Sequence, residues 1–218
     1  INEKIEGKKH ETVLEINLNH VESNFTSYKN LILKNTKILA MIKAAGYGAG
    51  LIEIGKKLEF CNVDFLGVAY VDEGVELRKN GIAKPILVMN PSVGSFNTLI
   101  NHHLTPAIHD LNQLNSFTGK LIDLNVNAYP VHLKLNSGMN RLGFSEDEID
   151  SLITFLQSQP EIKVEGIFSH LFASDNKEGE SQTLGQIQNF KLSCEKIEGS
   201  LRINTIKHIL SLIHISEP

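Results

Sequence analysis

The chain reads as an α/β protein, an incomplete (β/α)8 TIM-type barrel with about seven of its eight strands present. Three observations predict this. Short apolar runs alternate with segments of helical period along the 218 residues, a rhythm that implies a parallel sheet with helices outside it, either open and doubly wound or closed into a barrel. From Ile38 onward seven such runs can be counted, and a closed barrel of this type needs eight. No internal repeat, low-complexity tract or Pro/Ser-rich linker divides the chain, so it reads as one domain: residues 1–17 as an N-terminal segment and strand, 18–210 as the barrel, and 211–218 as a tail.

Taken in order, Val13 to Asn17 reads as a strand, and Val21, Phe25, Tyr28 and Ile32 recur at helical spacing. Ile38 to Ile42 are five consecutive apolar residues, read as a strand buried on both faces. Leu51, Ile54 and Leu58 give an amphipathic helix, and Val63 to Ala69 a short apolar strand. Asp72 is the expected N-cap of a helix through Val75 and Leu77, with Gly81 as its stop. Pro85 to Asn90 is a strand, Ser95 to His102 a short helix, Leu104 to Ile108 a strand and Leu111 to Phe117 a helix. Val131 to Asn136 is again a strand. Ser145 and Glu148 form a capping-box pattern, and Ile149, Leu152, Ile153 and Leu156 share one face before Pro160. Val164 to Phe168 is a strand, Ile187, Phe190, Cys194, Ile197 and Leu201 line a long helix, and Thr205 to Leu210 is the last strand. The strand at Val13 to Asn17 has no obvious partner.

Composition narrows the function. A net charge of −4, with no Lys/Arg-rich block beyond Lys8-Lys9, leaves no electrostatic footprint for nucleic acid or an anionic membrane. No apolar run approaches the roughly 18 residues of a membrane span, and the polar start has no signal-peptide core, so a cytoplasmic protein acting on a small molecule is expected. Cys61 and Cys194 are the only cysteines, in no C-x-x-C pattern, and are expected to be two buried free thiols. The adjacent pair His102-His103 lacks the spacing to aim both rings at one ion, and no metal site is expected. Ile1 in place of methionine suggests a chain cut from something longer.

The most informative stretch is ILAMIKAAGYGAG, residues 38–50. Its strand delivers Lys43 at the carboxyl end, where barrel enzymes keep their chemistry. Without more, such a lysine is the solvated end of a strand and the glycines are plain turns. A lysine behind a run of hydrocarbon can, however, lose its charge by desolvation and become the free amine that forms a Schiff base. Gly46, Gly48 and Gly50 would let backbone amides approach an anion, with Tyr47 offering a hydroxyl. Together they suggest a lysine-bound cofactor carrying a phosphate. A second stretch, VHLKLNSGMNRLGF, alternates so that His132 and Lys134 share one strand face, where a cation needs a partner. A third, GIFSHLFASDN, places His170 just past a strand end.

These stretches resemble the alanine racemases. ILAMIKAAGYGAG is similar to the family's K-A-N-A-Y-G-H-G signature, departing at Ala45, Gly46 and Ala49. Lys134, Gly138, Met139, Arg141, Leu142, Gly143 and Phe144 match K-x-D-T-G-M-x-R-L-G-F in order, with Asn136 and Ser137 in place of Asp-Thr. His170 falls within a run similar to F-[ST]-H-x-A-[ST]-[AS]-[DE]. NTIKHIL resembles the family's K-H-I-L-N-S-A-G-I, although after Leu210 the sequence reads SLIHISEP, with Leu212 where the phosphate-binding serine would stand. That tail resembles translated sequencing-adapter read-through and is expected to be foreign to the fold. LGVAYVDEGVELRKNGI and PILVMNP resemble Bacteroidetes-type racemases fused behind a cell-wall ligase.

The resemblance covers Thr12 to Leu210. It implies pyridoxal 5′-phosphate held by Lys43 as a Schiff base, with Lys43 exchanging the substrate's α-proton on one face. It also implies that Tyr47 binds the phosphate, Arg141 donates to the phenolic oxygen and His170 lies against the pyridine ring. Behind these, a carbamylated Lys134 would hold Arg141, and His208 would partner an arginine that contacts the pyridine nitrogen. The implied reaction interconverts L- and D-alanine for peptidoglycan synthesis. The full-length protein would be a homodimer whose C-terminal β-domain, outside this match, supplies the second base. The chain alone is therefore expected to be inactive. Competing readings are a non-catalytic single-barrel pyridoxal-phosphate carrier, against which the G-M-N-R-L-G run counts, and a related racemase or decarboxylase for another amino acid.

Overall fold

The computed structural model describes residues 12–172 and 179–209. Seven parallel strands form one sheet in sequence order: β1 (Leu39–Met41), β2 (Phe65–Val68), β3 (Ile86–Val88), β4 (Thr105–Ile108), β5 (Tyr129–Lys134), β6 (Ile162–Ser169) and β7 (Ile206–Ile209). Each strand neighbours the next, the arrangement that right-handed strand–helix–strand crossovers generate when every helix lies on the same side. The sheet curls with β1 and β7 at its edges, and no eighth strand lies between them among the described residues.

The helices α1 (Leu18–Leu31), α3 (Leu51–Phe60), α4 (Val71–Lys79), α5 (Phe96–Asn101), α6 (Leu111–Asp123), α7 (Ile149–Gln157) and α8 (Glu180–Leu201) carry the apolar faces that cover the sheet from outside. Burial separates two layers. The main core lies between sheet and helices and includes Leu66, Val88, Ile108, Leu133 and Ile167 from alternate strand positions, against Leu77, Leu114, Phe117, Leu152 and Ile197. A smaller cluster of Leu87, Ala107 and Phe168, with Leu39 and Met89 beside it, lies on the concave face. Apolar residues on both faces explain why most strands read as unbroken hydrophobic runs.

Several expectations are corrected. Residues 12–17 form no strand, and Val13, Leu14 and Ile16 are exposed: a strand needs a ladder partner, and none is adjacent among the described residues. β1 is half-buried rather than buried on both faces, because it is an edge strand bonded on one side only. Asp72 is not a cap; Tyr70 holds that position, and Glu73 accepts from the amides of Ala69 (2.7 Å) and Tyr70 (3.1 Å). Ile187 points outward from α8, while Phe190, Cys194 and Ile197 face the core. Cys61 is only half-buried; Cys194 is buried, and burial pushes its thiol up to about 12. The Ser145–Glu148 capping box forms as expected, with the Glu148 carboxylate accepting from the Ser145 amide at 2.9 Å. Residues 210–218 lie outside the described residues, and so does the expected end of the last strand at Leu210.

At the amino-terminal face of the sheet Arg78 ties two loops together. Its guanidinium donates to the carbonyls of Ile82 (2.8 Å) and Lys84 (2.7 Å) ahead of β3, and of His102 (3.1 Å) and His103 (3.1 Å) ahead of β4. That face serves stability.

Candidate active site

The carboxyl ends of β1, β5 and β6 carry Lys43, the Lys134–Arg141 segment and His170, and parallel pairing brings these to one end of the sheet. Lys43 opens the single turn α2 (Lys43–Tyr47), in which Ala44, Ala45, Gly46 and Tyr47 all have positive φ, between 53° and 64°. A left-handed turn costs roughly 1–2 kcal/mol per non-glycine residue, so it persists only where its surroundings hold it. The Glu73 carboxylate supplies one such hold: it accepts from the Ala44 amide at 2.6 Å while gripping Ala69 and Tyr70 at the end of β2.

This geometry corrects two expectations. The amides of Gly46, Gly48 and Gly50 are not free to receive an anion; they donate to the carbonyls of Ile42 (2.9 Å), Ala44 (3.0 Å) and Ala45 (2.9 Å). The glycines instead permit the backbone path, Gly48 and Gly50 having φ of 86° and 100°. Lys43 is exposed, so the hydrocarbon of its strand does not desolvate it; the chain turns outward immediately after Ile42, the last buried residue of the run. Tyr47 is likewise exposed, one turn from Lys43.

After β5 the chain loops through residues 136–143 and returns so that Phe144 bonds beside the strand end: its amide donates to Lys134 (2.9 Å), and its carbonyl accepts from Asn136 (2.8 Å). Gly143, at φ +123°, passes so close that a Cβ would lie 2.7–2.8 Å from backbone atoms of Lys134, Leu135 and Asn136. Asn136, which replaces an aspartate of the resembled pattern, accepts through Oδ1 from the Asn140 amide at 2.9 Å and shapes the loop. The Ser137 and Ser169 hydroxyls lie 2.8 Å apart, tying this loop to β6. Gln186 of α8 donates to the carbonyl of His170 (3.1 Å) and fixes the end of that strand. Arg141 sits on the loop, exposed.

Lys134 is buried and faces the concave side, its Nζ 5.3 Å from the centroid of the Phe168 ring. Burial, reinforced by the Arg141 guanidinium, pulls its ammonium below the usual lysine range. His132 and His208 share that face, with His132 Nδ1 3.0 Å from His208 Nε2. His208 stacks on Phe168 at 4.8 Å and is pushed down to about 3, by burial first and then by His132. Glu165 reaches the far nitrogen of His132 at 3.7 Å. The sequence puts His132 on the right face without a partner, leaves Glu73 in its family-like stretch without a role, and does not single out Glu165. The signal for Glu165 is the glycine that follows it inside a strand, a mark of bulges. Among the described residues no group of three or more His, Cys, Asp or Glu is arranged to hold a metal ion.

Residues 16–211 match the family model described as alanine racemase, N-terminal domain. The chain belongs to that family. An alanine racemase of Oceanobacillus iheyensis is 33% identical over 89% of this chain and 52% of its own length. An amino-acid racemase of Enterococcus faecalis is 36% identical over 76% of this chain and 22% of its own. Among solved structures, alanine racemase of Clostridium difficile 630 in complex with cycloserine superposes with a TM-score of 0.83 at 34% identity, covering 89% of this chain and 53% of that one. The chain thus spans about half the length of the alanine racemases it matches. The likeness places the seven-stranded sheet as the racemase barrel domain.

Proposed function

We propose that this chain is the pyridoxal-phosphate-binding half of an amino-acid racemase that interconverts L- and D-alanine in the cytoplasm for peptidoglycan synthesis. The observation that carries the reading is Lys43, an exposed primary amine at a strand's carboxyl end, on a left-handed turn that Glu73 holds in place. The donors carried after these strand ends suit an anionic, aromatic aldehyde: an amine to bond the carbonyl carbon, the Tyr47 hydroxyl for phosphate, the Arg141 guanidinium for a phenolate oxygen, and the His170 ring beside a planar heterocycle. The cofactor, when bound, supplies an electron sink that acidifies the substrate's Cα–H bond.

The chain's own part is to bind, orient and move one proton. Lys43 Nζ would hold the cofactor's carbonyl carbon and, as a free amine, would take or return the substrate's α-proton on one face. Arg141 and His170 fix the ring's orientation. Lys134, whose neutral amine burial favours, is suited to carbamylation, which would convert the cation behind Arg141 into an anion able to hold the guanidinium. The acid–base group for the opposite face would come from a second domain and a partner subunit in a homodimer.

The test is reduction of the chain with borohydride in the presence of pyridoxal phosphate, followed by peptide mapping. The label should appear on Lys43 and be absent from Lys43→Ala. Labelling of another lysine, or equal labelling of the alanine variant, would reject the reading.

A further inference from the structure

We propose that Glu165 and His132 are positioning residues that fix the tautomer of His208, placing a proton on Nε2 of both imidazoles and leaving His208 Nδ1 unprotonated.

Val131 pairs with Val164 but His132 pairs with Gly166, so Glu165 is an extra residue in β6. Strand side chains otherwise alternate between faces, and the insertion lets two successive residues turn toward His132. One of them, Gly166, has no side chain, and the ring fills that space: a Cβ would lie 2.5 Å from His132 Cε1 and Nδ1. The other, Glu165, sets its Oε2 3.7 Å from His132 Nε2. His132 is 1% exposed, and its Nε2 has no hydrogen-bond partner among the described residues.

A carboxylate facing a bare ring nitrogen repels its lone pair, and facing an N–H attracts it. At 3.7 Å the attraction is electrostatic rather than a formed hydrogen bond, but it has a definite sign. The proton of neutral His132 therefore belongs on Nε2, which leaves Nδ1 as an acceptor. Since His132 Nδ1 and His208 Nε2 are 3.0 Å apart, one must donate, and the donor is then His208 Nε2–H. Neutral His208 is left with an unprotonated Nδ1.

The neighbouring charges support this order. The carboxyl of Glu165 is held below its ordinary range, by His132 foremost and also by Lys163 and Lys37, so it stays an anion. Burial keeps His208 neutral. The remaining cation near the pair, Lys134, lies over the Phe168 ring on which His208 stacks, and Phe65 meets His132 edge-on at 5.9 Å.

The experiment is imidazole 15N–1H correlation spectroscopy on the whole chain, labelled at histidine, without cofactor, at about pH 8 where an ordinary histidine is neutral. Both rings should show the Nε2–H tautomer, with a coupling across the bond between them. Glu165→Lys, which reverses the charge at a half-exposed position, should reverse both rings to Nδ1–H. Glu165→Leu, which only removes the charge, should give a measurable mixture and serves if the lysine variant does not fold. An Nδ1–H tautomer on either ring of the unaltered chain overturns the inference, and so does a lysine or leucine variant that keeps the pure Nε2–H pattern. Borohydride labelling of Lys43 in the same samples reports separately on the cofactor reading.

Discussion

The imidazole of His132 stands where a side chain at Gly166 would have to be, 2.5 Å from an ideal Cβ at that position. A rigid ring cannot yield as the end of a flexible chain can. Gly166→Ala should therefore cost about 1–3 kcal/mol, the usual range for overpacking, and should break the 3.0 Å contact between His132 and His208. Gly119→Ala, in the middle of α6 where a Cβ meets open space, should instead be neutral or stabilising by up to about 1 kcal/mol. Denaturant midpoints of the two variants check the contrast.

Glu73 and Arg78 lie on one helix but brace opposite faces of the sheet. Glu73→Ala frees the Ala44 amide, whose hydrogen exchange should accelerate by about 10- to 100-fold, corresponding to a lost bond to a charged group of about 1.5–3 kcal/mol. Reductive labelling of Lys43 should fall with it. Arg78→Ala should lower global stability by on the order of 2–4 kcal/mol, since the carbonyls of Ile82, Lys84, His102 and His103 lose a charged donor, with the labelling pattern of the folded fraction unchanged.

Gly143→Ala should do more harm to the Arg141 loop than its size suggests, because its Cβ would meet backbone rather than side chains, at a φ that favours glycine. The Phe144–Lys134 hydrogen bond should break, and limited proteolysis should then cut within residues 136–143 under conditions that leave the unaltered chain whole.

His208 gives stability a pH dependence of known sign. Its folded value is near 3 against an ordinary 6.5, so between the two the unfolded chain binds the extra proton. Stability from this group is present above pH 6.5, falls as the pH drops, and is fully lost below about 3, with an upper bound of about 5 kcal/mol. Urea titrations from pH 7 to 4 should show a decline that His208→Gln reduces.

Cys194 should resist thiol reagents until the chain unfolds, because burial pushes its thiol up to about 12. Half-buried Cys61 should react first. Equal rates for the two in the native chain would contradict the packing of α8.

The sequence by itself determined the order and kind of the elements, because hydrophobic period is local: Ile149, Leu152, Ile153 and Leu156 mark one helix face wherever that helix sits. It also placed Lys43, Arg141 and His170 after strands, and parallel topology then requires them at one end of the sheet. Tertiary structure decided what those positions are worth. That Lys43 is exposed, that the glycine amides are spent inside a left-handed turn, and that Val13–Asn17 finds no strand partner among the described residues all depend on neighbours distant in sequence. The Glu165–His132–His208 series joins residues from three adjacent strands through a one-residue bulge. No periodicity announces such an arrangement, because register between strands is fixed by packing and not by either strand alone.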